Sequence, residues 1–138
     1  MTIDSYRAFH RQLLTELKEK IIRQPPFDAE HLQQEDSEFL ALFDRLLEDE
    51  DSGQNAQDPG QQLITTIVAR YPHITPIVPR DLFWYFGGDC LHFLGDEEIA
   101  LFQNLDETYH SLLSENSSGI DYTVLRSAAD REPPGQLN

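Results

Sequence analysis

Apolar residues in the first part of the chain recur at three- and four-residue steps: Tyr6, Phe9, Leu13, Leu14, Leu17 and Ile21. At about 100° per residue they share one stripe of an α-helix, so a helix is predicted over residues 4–23, stopped by Pro25 and Pro26. His10 lies inside the stripe, where a lone histidine is expected as a hydrogen-bonded core or interface residue. Arg7, Arg11 and Lys18 project together beside it. Leu32, Phe39, Leu40, Leu42, Phe43, Leu46 and Leu47 carry a second helix, with a short first piece over residues 29–33 and a longer one from about residue 36. Four acids, Glu48 to Asp51, crowd its C-terminus, the end where the helix dipole prefers cations.

Residues 52–60, with Gly53, Asn55, Asp58, Pro59 and Gly60, read as a loop. A third helix is predicted over residues 62–71, with Leu63, Ile64, Ile67, Val68 and Tyr71 on one side and Pro72 as terminator; its β-branched content leaves a strand as the lesser alternative. An irregular stretch follows. Pro79 suits the start of a short helix over residues 80–86 with Gly87 as its αL cap, and a further turn is expected over residues 90–94. The next helix has Asp96 as N-cap, Glu97 and Glu98 in its first turn, and a stripe of Ile99, Phe102, Leu105, Tyr109, Leu112 and Leu113. A last short helix over residues 121–129 offers Tyr122, Leu125 and Ala128. The predicted fold is all-α, a compact bundle of five to seven helices with an irregular Pro/Gly-rich aromatic segment in the middle. Residues 1–130 are expected as one domain, and residues 131–138 as a disordered C-terminal tail.

Composition adds a strong charge imbalance. The 138 residues hold 25 Asp and Glu against 10 Lys and Arg, a formal charge of −15, yet 39% are hydrophobic, with 8 Phe, 5 Tyr and 1 Trp. That is a folded acidic protein rather than an acidic disordered tail. Phosphate backbones and anionic lipid both call for clustered Lys and Arg, so neither nucleic acid nor a membrane surface is an expected partner. The longest apolar run, residues 82–86, is far short of a membrane span or signal-peptide core. A single cysteine closes no internal disulfide, and a cytoplasmic setting follows. The charge is uneven: residues 1–23 carry five basic groups against three acidic ones, whereas residues 28–58 carry eleven acids against Arg45 alone. The two segments are expected to face each other within one fold, which leaves part of the acidic excess for a basic partner.

Candidate chemistry concentrates in residues 81–96, which hold the only Trp, the only Cys, one of five His and three of seven Gly. In a functional reading Trp84, Tyr85 and Phe86 wall a pocket, Gly87 and Gly88 let the backbone approach a ligand, and Asp89, Cys90 and His92 supply polar or reactive groups. Residues two apart on a helix diverge by about 200°, so Cys90 and His92 form no dyad there. In the plainer reading the aromatic residues are a core corner and Cys90 is a small buried hydrophobe. Acid-x-x-His pairs occur at Asp28/His31, Asp89/His92 and Glu107/His110, but Glu107 and His110 project away from their helix's apolar stripe. No metal or cofactor is expected.

The block Pro-Arg-Asp-Leu-Phe-Trp-Tyr-Phe-Gly-Gly-Asp-Cys-Leu-His-Phe-Leu-Gly-Asp-Glu-Glu, residues 79–98, resembles a small family of uncharacterised acidic proteins from gammaproteobacteria. The resemblance implies a bacterial cytosolic protein and carries over no substrate, cofactor or catalytic residue. Without a complete catalytic signature, the chain is expected to be a protein-interaction or regulatory module without catalysis. It would use the aromatic surface near residues 82–93, the acidic face over residues 35–51, or both, and a homodimer through the long amphipathic helices is in keeping with its size. The alternatives are an enzyme or small-ligand binder using the Trp84, Asp89, Cys90 and His92 pocket, and an acidic mimic of nucleic acid.

Overall fold

The computed structural model describes residues 5–52, 57–115 and 121–131. They form six α-helices, α1 (Ser5–Ile21), α2 (Gln34–Ser52), α3 (Gln57–Arg70), α4 (Arg80–Phe86), α5 (Asp96–Glu115) and α6 (Tyr122–Arg131), with two 3-10 segments, Thr75–Ile77 and Gly88–Phe93. The fold is all-α, and no strand occurs among the described residues. The expected tail, residues 132–138, lies outside them.

Each predicted stripe supplies the core. Leu14, Leu17 and Ile21 of α1, Phe39, Phe43 and Leu46 of α2, Leu63, Ile64 and Ile67 of α3, and Phe102, Leu105 and Tyr109 of α5 are all buried in one cluster. Tyr122 anchors α6 to the same cluster. The hub is the shortest helix: α4 packs against α1, α3 and α5, and it buries Leu82, Phe83 and Phe86. Along α1, Lys18 pairs with Asp44 of α2, and the Arg7 guanidinium donates to the Asp49 carbonyl, so part of the acidic excess is met inside the fold.

Four local expectations are corrected. Residues 29–31 are bends and 32–33 are irregular rather than a helical piece; only Leu32 is half-buried, and Ala29, Glu30, His31 and Gln33 are exposed, so that piece has too little apolar surface to hold a helix. Residues 57–60 are the first turn of α3 rather than loop. Pro59 is tolerated there because the first N–H groups of a helix lack intrahelical partners, and Gly60 is present for close packing against α4. Gly87 caps α4 with the expected positive φ of 67°, but its ψ of −149° is not the αL conformation. Gly95, not Asp96, caps α5. Its carbonyl accepts the Ile99 N–H and its own N–H donates to Glu98 Oε1, which is the Glu half of a capping box.

Candidate functional site

The six sequence candidates diverge. Phe86 points into the core, 1% exposed, with its ring over Gly60 and its carbonyl accepting Gln61 Nε2–H at 2.9 Å. Trp84 is half-buried, stacked at 6.1 Å on Phe102, and donates Nε1–H to Asp106 Oδ2 at 2.8 Å. Tyr85 stacks on His10 at 4.2 Å with the rings 5° from parallel. Cys90 is fully buried, and burial, followed by the charge of Asp89, pushes its thiol pKa up, the reverse of what a nucleophile needs. Asp89 and His92 are exposed on the other side of the 3-10 segment. The cluster is therefore largely spent on packing.

What Trp84 and Tyr85 reach is a buried aromatic knot joining α1, α4, α5 and α6. Tyr6, Phe9, His10, Tyr109 and Tyr122 meet there at ring separations from 4.6 to 5.8 Å. His10 Nδ1–H donates to the Tyr6 carbonyl at 2.7 Å, which sets its tautomer. The Ser5 hydroxyl is 3.2 Å from the Tyr109 hydroxyl and accepts the Tyr122 N–H at 2.8 Å, fastening the start of α6 to the start of α1. The Tyr6 hydroxyl donates to Asp106, and burial, then the nearby Asp106 carboxylate, raises its pKa far above the ordinary phenol value. The Tyr122 phenol is raised in the same way, by burial first and Asp106 next. Held neutral, the Tyr6 phenol acts as a structural donor, not as an acid.

Two ionic clasps hold α4 in place. Arg126 of α6 grips Asp81 at 2.7 and 3.2 Å. Arg80 grips Glu98 at 2.8 and 2.9 Å and donates to the Phe93 carbonyl at 2.6 Å. The Arg80 bond and, to a lesser degree, the Gly95 N–H lower the Glu98 pKa from 4.5 to about 2. A folded-state pKa below the unfolded one stabilises the fold above about pH 4.5, and this contribution is lost as pH falls toward about 2. Glu98→Gln is accordingly expected to lower the melting temperature most near neutral pH. The gap to the parent protein should close between pH 4.5 and about 2, as followed by thermal melts across that range.

A surface feature with room for a ligand lies elsewhere, between α2 and α3. An open cleft of about 660 Å³ is lined by Glu35, Glu38, Phe39, Ala41, Leu42 and Arg45 from α2 and by Gln62, Thr65, Thr66, Ala69 and Arg70 from α3. A second hollow of about 550 Å³ shares Glu35 and Glu38 and continues over the start of α2. The small side chains Ala41, Thr65, Thr66 and Ala69 leave the space between the outer faces of the two helices unfilled, and Leu42 gives it an apolar centre. Beneath the acidic end, the Tyr71 hydroxyl donates to the buried Asp36 at 2.6 Å, its pKa raised to about 12 by burial and by that bond. This joins the end of α3 rigidly to the start of α2. Sequence reasoning marked the acids of residues 35–51 but missed the α3 wall. The signal was present as Gln62, Thr66 and Ala69 at four- and three-residue steps on the face opposite Leu63, Ile64 and Ile67.

Among the described residues no three His, Cys, Asp or Glu side chains gather as a metal centre requires, and no helix is long and apolar enough to cross a membrane.

Fold and surface together define a small all-α bundle with a polar-aromatic interior and an open groove between α2 and α3. The chain belongs to the PA2817-like family, whose model matches residues 2–131. No curated protein and no solved structure matches it.

Proposed function

We propose that this protein is a helical interaction module, without catalysis, that holds an amphipathic segment of a protein partner in the α2–α3 groove. The observation that supports this reading is the groove itself: about 660 Å³, apolar at Leu42, and rimmed by the exposed Glu35, Glu38, Arg45 and Arg70. Helix-in-groove recognition uses an apolar stripe for affinity and flanking charges for register. Because Arg45 and Arg70 line the groove beside Glu35 and Glu38, the occupant is accordingly an apolar helical face flanked by charges of both signs. A bacterial cytoplasmic setting, with neither nucleic acid nor membrane as partner, accords with the chain's acidity. The pocket alternative loses support because Trp84, Asp89, Cys90 and His92 do not converge.

Filling the groove tests the reading. Ala41 and Ala69 are exposed on opposite walls. Ala41→Trp/Ala69→Trp should keep the parent melting temperature and lose the partner that the parent protein captures from lysate of its native cells. If the filled variant retains that partner, the groove is not the binding surface.

A further inference from the structure

The 3-10 segment Gly88–Phe93 packs against α3 and α4, yet little of it is buried. Cys90 is its one fully buried residue, while Gly88, Asp89, His92 and Phe93 are exposed. Burial of apolar surface is what holds a segment down, so this one is held weakly beside α4, which buries Leu82, Phe83 and Phe86. Its backbone bonds are short-range, from the Cys90 N–H to the Gly87 carbonyl and from the Leu94 N–H to the Leu91 carbonyl, both at 3.1 Å. Such bonds have poorer geometry than those of an α-helix.

Both ends of the segment are glycines. Gly87 (φ 67°, ψ −149°) and Gly88 (φ 59°) adopt backbone conformations that favour glycine, and Gly95 follows the extended Leu94 at the other end. The first pivot is fixed from outside. Gln61 of α3 donates Nε2–H to the Phe86 carbonyl at 2.9 Å, and its side chain lies against Gly88, where a Cβ would come within 2.5 Å of it. The far end is tied by Arg80, which donates to the Phe93 carbonyl at 2.6 Å while gripping Glu98. The same guanidinium lies 5.1 Å from the centre of the Phe83 ring, which Phe93 also meets at 5.7 Å. We infer that Gly88–Phe93 is a glycine-hinged flap that opens by itself while the rest of the bundle stays folded, with Arg80 as its latch. Opening lifts Cys90 out of the core, so this thiol, buried in the closed form, serves as the reporter of the motion.

The chain has 1 Cys, so labelling of the full protein with methyl methanethiosulfonate, followed by mass, reads the flap directly. The Cys90 thiolate attacks the reagent's divalent sulfur, a mixed disulfide forms and methanesulfinate leaves. Below the global unfolding transition the labelling rate should stay almost flat with urea, because local opening exposes little surface. Arg80→Met should raise that flat rate about tenfold, since three charge-assisted bonds are lost, and Glu98→Gln should raise it in the same direction. Phe43→Leu, in the buried face of α2, should lower the urea midpoint and leave the flat rate unchanged. If Arg80→Met does not fold, Glu98→Gln carries the same comparison. A rate that follows global unfolding at every urea concentration, a latch variant that labels no faster than the parent protein, or a Phe43→Leu rate raised in step with its loss of stability would each overturn the flap.

Discussion

Phe86→Ala is expected to cost about 3–5 kcal/mol of folding stability, as for a large aromatic residue removed from a core that relaxes only in part. Phe86 is 1% exposed and sits where α4 meets α3. The contact is unusually close: a Cβ built on Gly60 would lie 2.1 Å from the ring's Cδ1. Gly60→Ala in the parent protein must therefore displace the ring, an overpacking cost of about 1–3 kcal/mol. With Phe86 already replaced by alanine, the same change meets open space. It should then stabilise by about 0.5–1 kcal/mol, because alanine is the better residue inside a helix. Urea denaturation of both single variants and the double variant checks this reversal of sign, and additive effects would show that ring and glycine do not meet. A large loss for Phe86→Ala would also assign this side chain to the core rather than to a binding surface.

The second large effect is expected at Arg126. Asp81 is only 7% exposed, and its carboxylate takes two bonds from this guanidinium, which also lies 5.7 Å from the centre of the Phe102 ring. Arg126→Met keeps much of the side-chain volume but leaves a buried carboxylate without its counter-charge, a loss of about 3–5 kcal/mol. Asp81→Asn/Arg126→Met should recover much of this, because a neutral amide is far less costly to bury than an unpaired carboxylate. A denaturation midpoint for Arg126→Met close to that of the parent would mean that water already solvates Asp81. Together with Ser5 at the start of α6 and the buried Tyr122, this pair docks the helix.

These two sites mark a boundary in what was legible along the chain. The stripes of α1, α2, α3 and α5 were readable because burying one side of a helix leaves a 3.6-residue period in the sequence itself. His10 was readable for the same reason. Gly60 was misread as a loop signal: helical breakers and close-packing glycines look alike until the ring opposite is known. Residues 80–93 stood out by composition, but composition did not distinguish a pocket wall from a hub. Phe83, Phe86 and Cys90 became core because α1, α3 and α5 all converge on a helix of 7 residues.

By itself the sequence determined the all-α class, most of the helices, their buried faces and the acidic surface, since each is set by neighbours within a few turns. Tertiary structure alone decided that Tyr85 stacks on His10, that Arg126 reaches Asp81 across 45 positions, and that α2 and α3 line a groove between their outer faces. Those contacts depend on which helix faces which, and that choice comes from the packing of the whole bundle rather than from any local pattern.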